Sequence, residues 1–180
     1  GLITGLVMVI SHSVQRLVGL YHGYKVEYKM WTLGLLAGLF VAFVSYGRVW
    51  LLLPGGIVMH HLAGHRLGNH RYGPDHYMWG IISLTVTFAA IFAAFIFKLI
   101  SLILENPLID RLIFFAVIYA LYDLLPFPAS TGLKLFYASR LVYIFNAVMV
   151  VVLGLLLLTP LHPVITVVIS IFVAIVSWLL

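Results

Sequence analysis

The chain has 180 residues, a net charge of +5, a mean hydropathy of +1.17, 64% hydrophobic and only 8% charged residues, and no cysteine. A soluble domain carries about 25% charged residues, so the composition argues against an ordinary soluble enzyme and reads as an all-α integral membrane protein. Its ten cations are dispersed, which excludes a nucleic-acid stripe and suits interfacial anchoring and lipid headgroups; the missing cysteines exclude disulfides and thiolate metal sites.

The length suits a single polytopic domain over residues 1–180. Residues 1–20 form the first predicted span, with Ser11, His12, Ser13, Gln15 and Arg16 towards its end. An arginine at the centre of a span costs about 2.5–3.5 kcal/mol on insertion scales, so Arg16 belongs near an interface or faces the protein interior. Residues 21–30 set Tyr24, Val26 and Tyr28 against Lys25, Glu27 and Lys29. That period of two predicts a short strand-like segment at the membrane surface. Residues 31–46 are apolar and punctuated by glycine, as in a short span or a re-entrant segment. Gly34-x-x-x-Gly38 permits close helix approach and reads as internal packing. Residues 48–57 run into Pro54-Gly55-Gly56, a turn signal.

A polar, histidine-rich loop over 60–77 holds His60, His61, His65, His70 and His76. His61 and His65 are four apart, the spacing of two ligands on one helical face, and Asp75 would add a carboxylate. Zinc or copper would suit imidazole. Against a metal site, Gly64, Gly68 and Gly73 make a poor helix, and a solvated interfacial loop is the competing reading.

Residues 78–104 form a long span with Lys98 placed to snorkel. Ser83, Thr85 and Thr87 inside it suit hydrogen bonds to backbone or to neighbouring helices, not nucleophilic chemistry. Asn106-Pro107 is a turn, and 108–125 is the next span. It runs into a proline-broken helix over 124–134, where Pro126 and Pro128 forbid regular helix and Gly132 relaxes the backbone. Irregular backbone at membrane depth survives only where protein or trapped water satisfies its amides, so this break should line the interior together with His12. Asp123 is the carboxylate nearest the break. A polar collar follows at 134–140, a span at 141–159, a tight turn at 160–163 and a last span at 164–180. The expected architecture is a bundle of five to six transmembrane helices. Trp31, Trp50, Trp79 and Trp178 fall near segment ends, as an interfacial belt requires, but Lys and Arg are nearly balanced along the chain and set no orientation.

Four stretches, in this order and spacing, carry a resemblance. They are Ile10-Ser11-His12 through the segment 23–31, Leu53-Pro54-Gly55-Gly56-Ile57, Gly80-Ile81-Ile82-Ser83-Leu84, and Asp123-Leu124-Leu125-Pro126-Phe127-Pro128 through Leu135-Phe136. Together they resemble the site-2 protease family of intramembrane zinc metalloproteases in its archaeal form, over nearly the whole chain. The resemblance implies a site-2-protease-like core. In that family a His-Glu-x-x-His helix and a carboxylate from a proline-broken helix bind zinc, and the glutamate polarises the zinc-bound water.

At the matching positions this chain keeps His12 but has Ser13 for the glutamate, Arg16 for the second histidine and Thr131 for the aspartate ligand. Val86 and Thr87 stand for a Gly-Pro pair, and Ala90 for an asparagine. Independently of any family, no histidine here is followed by glutamate. The expectation is a fold kept and proteolysis lost, with no cofactor. Arg16 would either pair with Asp123 across the old pocket or snorkel outward while Asp123 caps a helix end. The implied role is an inactive accessory or scaffold subunit in the cell membrane, bound to other integral membrane proteins and lipid. The alternative is a diverged metalloprotease or metal-binding protein using His12 or the His60–His76 loop, and a transporter is a third class.

Overall fold

The computed structural model describes residues 2–48, 55–61, 75–104, 106–127 and 130–179. In chain order these form α1 (Leu2–Tyr21), β1 (Tyr24–Met30), α2 (Thr32–Val44), β2 (Gly55–His61), α3 (His76–Ser101), α4 (Pro107–Leu124), α5 (Thr131–Ala138), α6 (Arg140–Leu157) and α7 (Pro163–Leu179). The fold is mostly helical, with one two-stranded antiparallel sheet. Among the described residues two helices, α3 and α6, are long and apolar enough to cross a membrane, against the five to six expected from the sequence.

The core sits where α1, α3, α4 and α6 meet. Helix α1 buries Val7, Ser11, Gln15 and Gly19, one residue per turn, which is the stripe a 3.6-residue repeat produces at spacing four. Its neighbours α3 and α4 supply Val86, Ala90, Ala94, Ala116, Val117 and Ala120 to the same core. Several of these are alanines, so the two backbones approach closely. Gly154 does the same for α6, since a Cβ there would sit 2.8 Å from Val117 Cγ1. Helix α4 starts cleanly: Asn106 Oδ1 accepts from Leu108 N at 2.9 Å, and Pro107 takes the first turn, where its missing N–H costs nothing.

The all-α expectation needs one correction. The alternating stretch does form a strand, and it pairs in register with a second one, Tyr24 opposite His61 and Met30 opposite Gly55. Of the turn expected at Pro54-Gly55-Gly56, Pro54 lies outside the described residues. Gly55 instead opens β2 with φ +140°, and a side chain at that position would overlap the Lys29 carbonyl oxygen. Only glycine lets the strand begin so close to its partner. The sheet is amphipathic, with Tyr24, Val26, Ile57 and Met59 buried and Lys25, Lys29 and His60 exposed. Gly19 of α1 accommodates Val26, which docks the sheet on the end of the first helix.

The predicted collar at 134–140 also changes character. Most of it is the helix α5, and Lys134 turns inward instead of facing solvent.

Candidate functional site: a polar interior at the helix break

Helix α4 ends at Leu124, and α5 restarts at Thr131. Pro126 lies in the gap between them, as the proline signal predicts, while Pro128 is outside the described residues. Ser130 Oγ accepts from Leu133 N at 3.1 Å and so caps the restarted helix. Thr131 Oγ1 donates to the Asp123 carbonyl at 3.2 Å, and Tyr143 Oη donates to the Leu124 carbonyl at 3.2 Å. These carbonyls belong to the last turn of α4 and have no helical partner, so the side-chain donors answer a specific need. Gly132 is forced. A Cβ there would overlap the Leu124 carbonyl and lie 3.0 Å from the Asp123 carbonyl oxygen. The break is bonded at both of its edges, while Leu125 and Pro126 within it are exposed.

His12 faces this region from α1. Its Nδ1 lies 3.2 Å from Gln15 Oε1, and its Nε2 lies 3.1 Å from Tyr119 Oη on α4. The protonation of the ring follows from the neighbours. Gln15 Nε2 donates to the Ile82 carbonyl at 3.1 Å, which fixes Gln15 Oε1 as the acceptor. A neutral imidazole therefore carries its proton on Nδ1 and offers the Nε2 lone pair, which accepts from the Tyr119 hydroxyl. Tyr28 of β1 packs edge-on against the imidazole with ring centroids 4.9 Å apart. Its hydroxyl is buried and has no hydrogen-bond partner among the described residues. Loss of hydration, with the Asp123 carboxylate as a smaller influence, pushes that phenol up to about 12.

Asp123 lies one turn beyond Tyr119, and its carboxylate accepts from Thr87 Oγ1 of α3 at 2.9 Å. Lys134 donates to the Ile57 carbonyl of β2, and its ammonium sits 4.6 Å from the Trp79 ring centroid. The lysine thus ties the restarted helix to the sheet. Ser11, Ser83 and Asn146 are also buried, with side-chain atoms that have no partner among the described residues.

The break and His12 therefore do come together, through Tyr119 and Asp123. Arg16 does not join them. It is exposed and makes no ion pair with Asp123. The reason is helical phase: the buried stripe passes through Gln15, and Arg16 is turned away by about 100°. Nor does Asp123 cap a helix end with its side chain; it lies within the last turn of α4. Ser13 is exposed and donates back to the Val9 carbonyl at 2.6 Å.

The histidine cluster is altered too. His61 ends a β-strand, so the helical pairing with His65 at spacing four does not apply from its side. His60 is exposed on β2 and His76 opens α3, while His65 and His70 lie outside the described residues. Among the described residues no group of three or more His, Cys, Asp or Glu is arranged to hold a metal ion.

The zinc that the family resemblance implies does not fit the interior site. The set offers one imidazole, and the Nε2 lone pair of that imidazole is engaged by Tyr119. The carboxylate is held by Thr87, and Thr131 is turned to a backbone carbonyl. Sequence reasoning missed Gln15, Tyr28, Tyr119 and Lys134. For Gln15 there was a usable signal: it lies four residues after Ser11 and four before Gly19, on the small and polar stripe. Tyr119 carries no such mark, because its partner is 107 residues away. Compared with family models, curated proteins and solved structures, the chain matches none.

Proposed function

We propose that this chain is a polytopic integral membrane protein, a catalytically inactive relative of site-2 proteases that serves as an accessory or scaffold subunit of a membrane complex. The observation that carries the reading is the state of His12. The nitrogen a metal would take accepts from the chain's own Tyr119, and the other is held by Gln15. Of the three positions that bind the metal in an active member, His12 and Thr131 are spent on hydrogen bonds within the chain and Arg16 is exposed, while Gln15 ties α1 to α3 and Thr87 ties α3 to α4. Such a network stabilises a frame that ties the helices together beside the break.

A bilayer environment is supported by the outer surface. Phe43 of α2 is 82% exposed, Phe92 of α3 62% and Phe172 of α7 68%, an extent of uncovered hydrocarbon that suits lipid and not water. Membrane helices that do not pack on one another are available to pack on partners, and helix association in lipid relies on such surfaces.

The test is purification without an affinity tag from native membranes in mild detergent. The expected result is co-purification with larger membrane proteins and less than stoichiometric zinc or copper by elemental analysis. A lone monodisperse chain carrying one metal ion, lost on His12→Ala or on His61→Ala, would replace this reading with that of a metal-binding protein or diverged metalloprotease.

A further inference from the structure

The fold resolves a matter that the linear order of the cations leaves balanced. Helices α1 and α3 run antiparallel, because Gln15 near the end of α1 bonds Ile82 near the start of α3. Gly80 packs against Ala138, which brings the end of α5 and the start of α6 to that same end. The sheet is there as well, two residues beyond α1. The opposite end is marked by Lys98, whose ammonium donates to the Thr159 carbonyl at 2.9 Å.

Sorted this way, exposed Arg16, Lys25, Lys29 and Arg140 gather at the sheet end. Among the described residues the far end has Lys98, already bonded, and Arg111 beside Asp110, while exposed Arg48 follows α2 and is counted at neither end. Two acids oppose the sheet-end cations. Glu27 pairs with Lys25 at 2.7 Å, and Asp75 precedes α3. Lys29, Arg16 and Arg140 make no ion pair with an acid among the described residues.

A second observation falls at the same end. Tyr21, Tyr77 and Tyr137 are 88%, 62% and 72% exposed, Trp79 follows Tyr77 by two residues in the first turn of α3, and Trp31 follows β1 directly. Exposed tyrosines and tryptophans ringed by cations are the composition of a headgroup layer, where amphipathic rings settle and ammonium or guanidinium groups meet phosphate. A third observation is α2, which begins directly after β1 and exposes Leu36, Leu39 and Phe40. Hydrocarbon beside a cationic strand face is an arrangement that a lipid surface matches and a soluble acidic partner does not.

We propose that the sheet-bearing end, centred on Lys29, Lys25 and Arg16, is a seat for anionic lipid headgroups. The proposal rests on the membrane-embedded reading above. Charge complementarity supplies the preference for anionic over zwitterionic lipid, and α2 anchors the strand face at headgroup depth.

The experiment places the full chain in phosphatidylcholine vesicles that contain a minor fraction of brominated phosphatidylglycerol, or the same fraction of brominated phosphatidylcholine. Tryptophan emission, in a Trp50→Phe and Trp178→Phe background used for every sample, is the readout, because Trp31 follows β1 and Trp79 lies in the first turn of α3. Quenching by the anionic lipid is expected to exceed that by the zwitterionic lipid about threefold at low salt and to fall as salt screens the charges. The double variant Lys25→Gln with Lys29→Gln should remove the excess, while Arg111→Gln at the far end should keep it. Both sites in the double variant are exposed strand positions, so the fold is retained, as circular dichroism would verify. Equal quenching by the two lipids in the unaltered protein overturns the headgroup seat and leaves embedding intact. An excess that survives the double variant overturns the assignment to the sheet. Quenching by neither lipid overturns the embedding and the seat together.

Discussion

Gly132 at the helix break and Gly34 in α2 are both crowded, yet by different kinds of atom. A Cβ at Gly132 would meet the Leu124 backbone, which is fixed by the end of one helix and the start of another. A Cβ at Gly34 would meet the indole of Trp31, a side chain three residues away on the same short segment. The break is bonded from α3 by Thr87, from α6 by Tyr143 and from its own α5 by Thr131. Helix α2 buries only Gly34 and Gly38 among its thirteen residues. Two glycine-marked stretches thus have opposite roles: one is a joint held from several sides, and the other an apolar arm held mainly at its root. Loss of a glycine should be severe where backbone is in the way and mild where a ring can swing aside.

Substitutions can break or sharpen this contrast. The largest effect is expected from Gly132→Ala, which should cost about 3 kcal/mol or more because neither helix can retreat without disturbing the core. Its measure is the thermal midpoint in detergent, and a midpoint unchanged from the parent would show that the break is not a rigid joint. Next comes Thr87→Val. Removing the donor leaves the Asp123 carboxylate without its interhelical partner, at about 1.5–3 kcal/mol for a bond to a charged group. Chemical denaturation monitored by circular dichroism reads that loss. Tyr119→Phe deletes a single neutral hydroxyl and should cost about 1 kcal/mol. In a double-mutant cycle its effect should depend on His12, and strict additivity with His12→Ala would show that the bond contributes nothing. Gly34→Ala should fall below about 1 kcal/mol in either direction, since the gain in helix propensity offsets displacement of the indole. A loss as large as that of Gly132→Ala would erase the distinction between the two regions. Smallest of all is Arg16→Gln, expected within about 0.5 kcal/mol for an exposed side chain outside the interior network. A severe loss there would mean that Arg16 serves the interior after all.

The strand at Tyr24–Met30, the start of α4 at Pro107 and its end before Pro126 were all legible in the sequence. Each depends on local rules: alternation of side chains, an Asn-Pro turn ahead of an apolar run, and the bar that proline sets on the residue before it. His12 and the break could be named as neighbours because a buried irregular backbone must find partners. The identity of those partners was not legible. Arg16 stands out by its charge, whereas Gln15 holds the interior position, and a shift of one residue in helical phase decides between them. The second strand was hidden behind a glycine pair that reads equally as a turn.

Composition and local periodicity by themselves determined that this chain is mostly helical, apolar along most of its length, broken by prolines near residue 126 and furnished with a short amphipathic strand. Only the tertiary structure decided that Tyr119 engages His12, that Thr87 holds Asp123, that Lys134 reaches the sheet, and that Arg16 and Arg140 come to the end that bears it. The physical reason is range. A hydrogen-bond donor or a cation acts over a few ångströms of space, and the packing of helices brings together residues that chain order holds far apart.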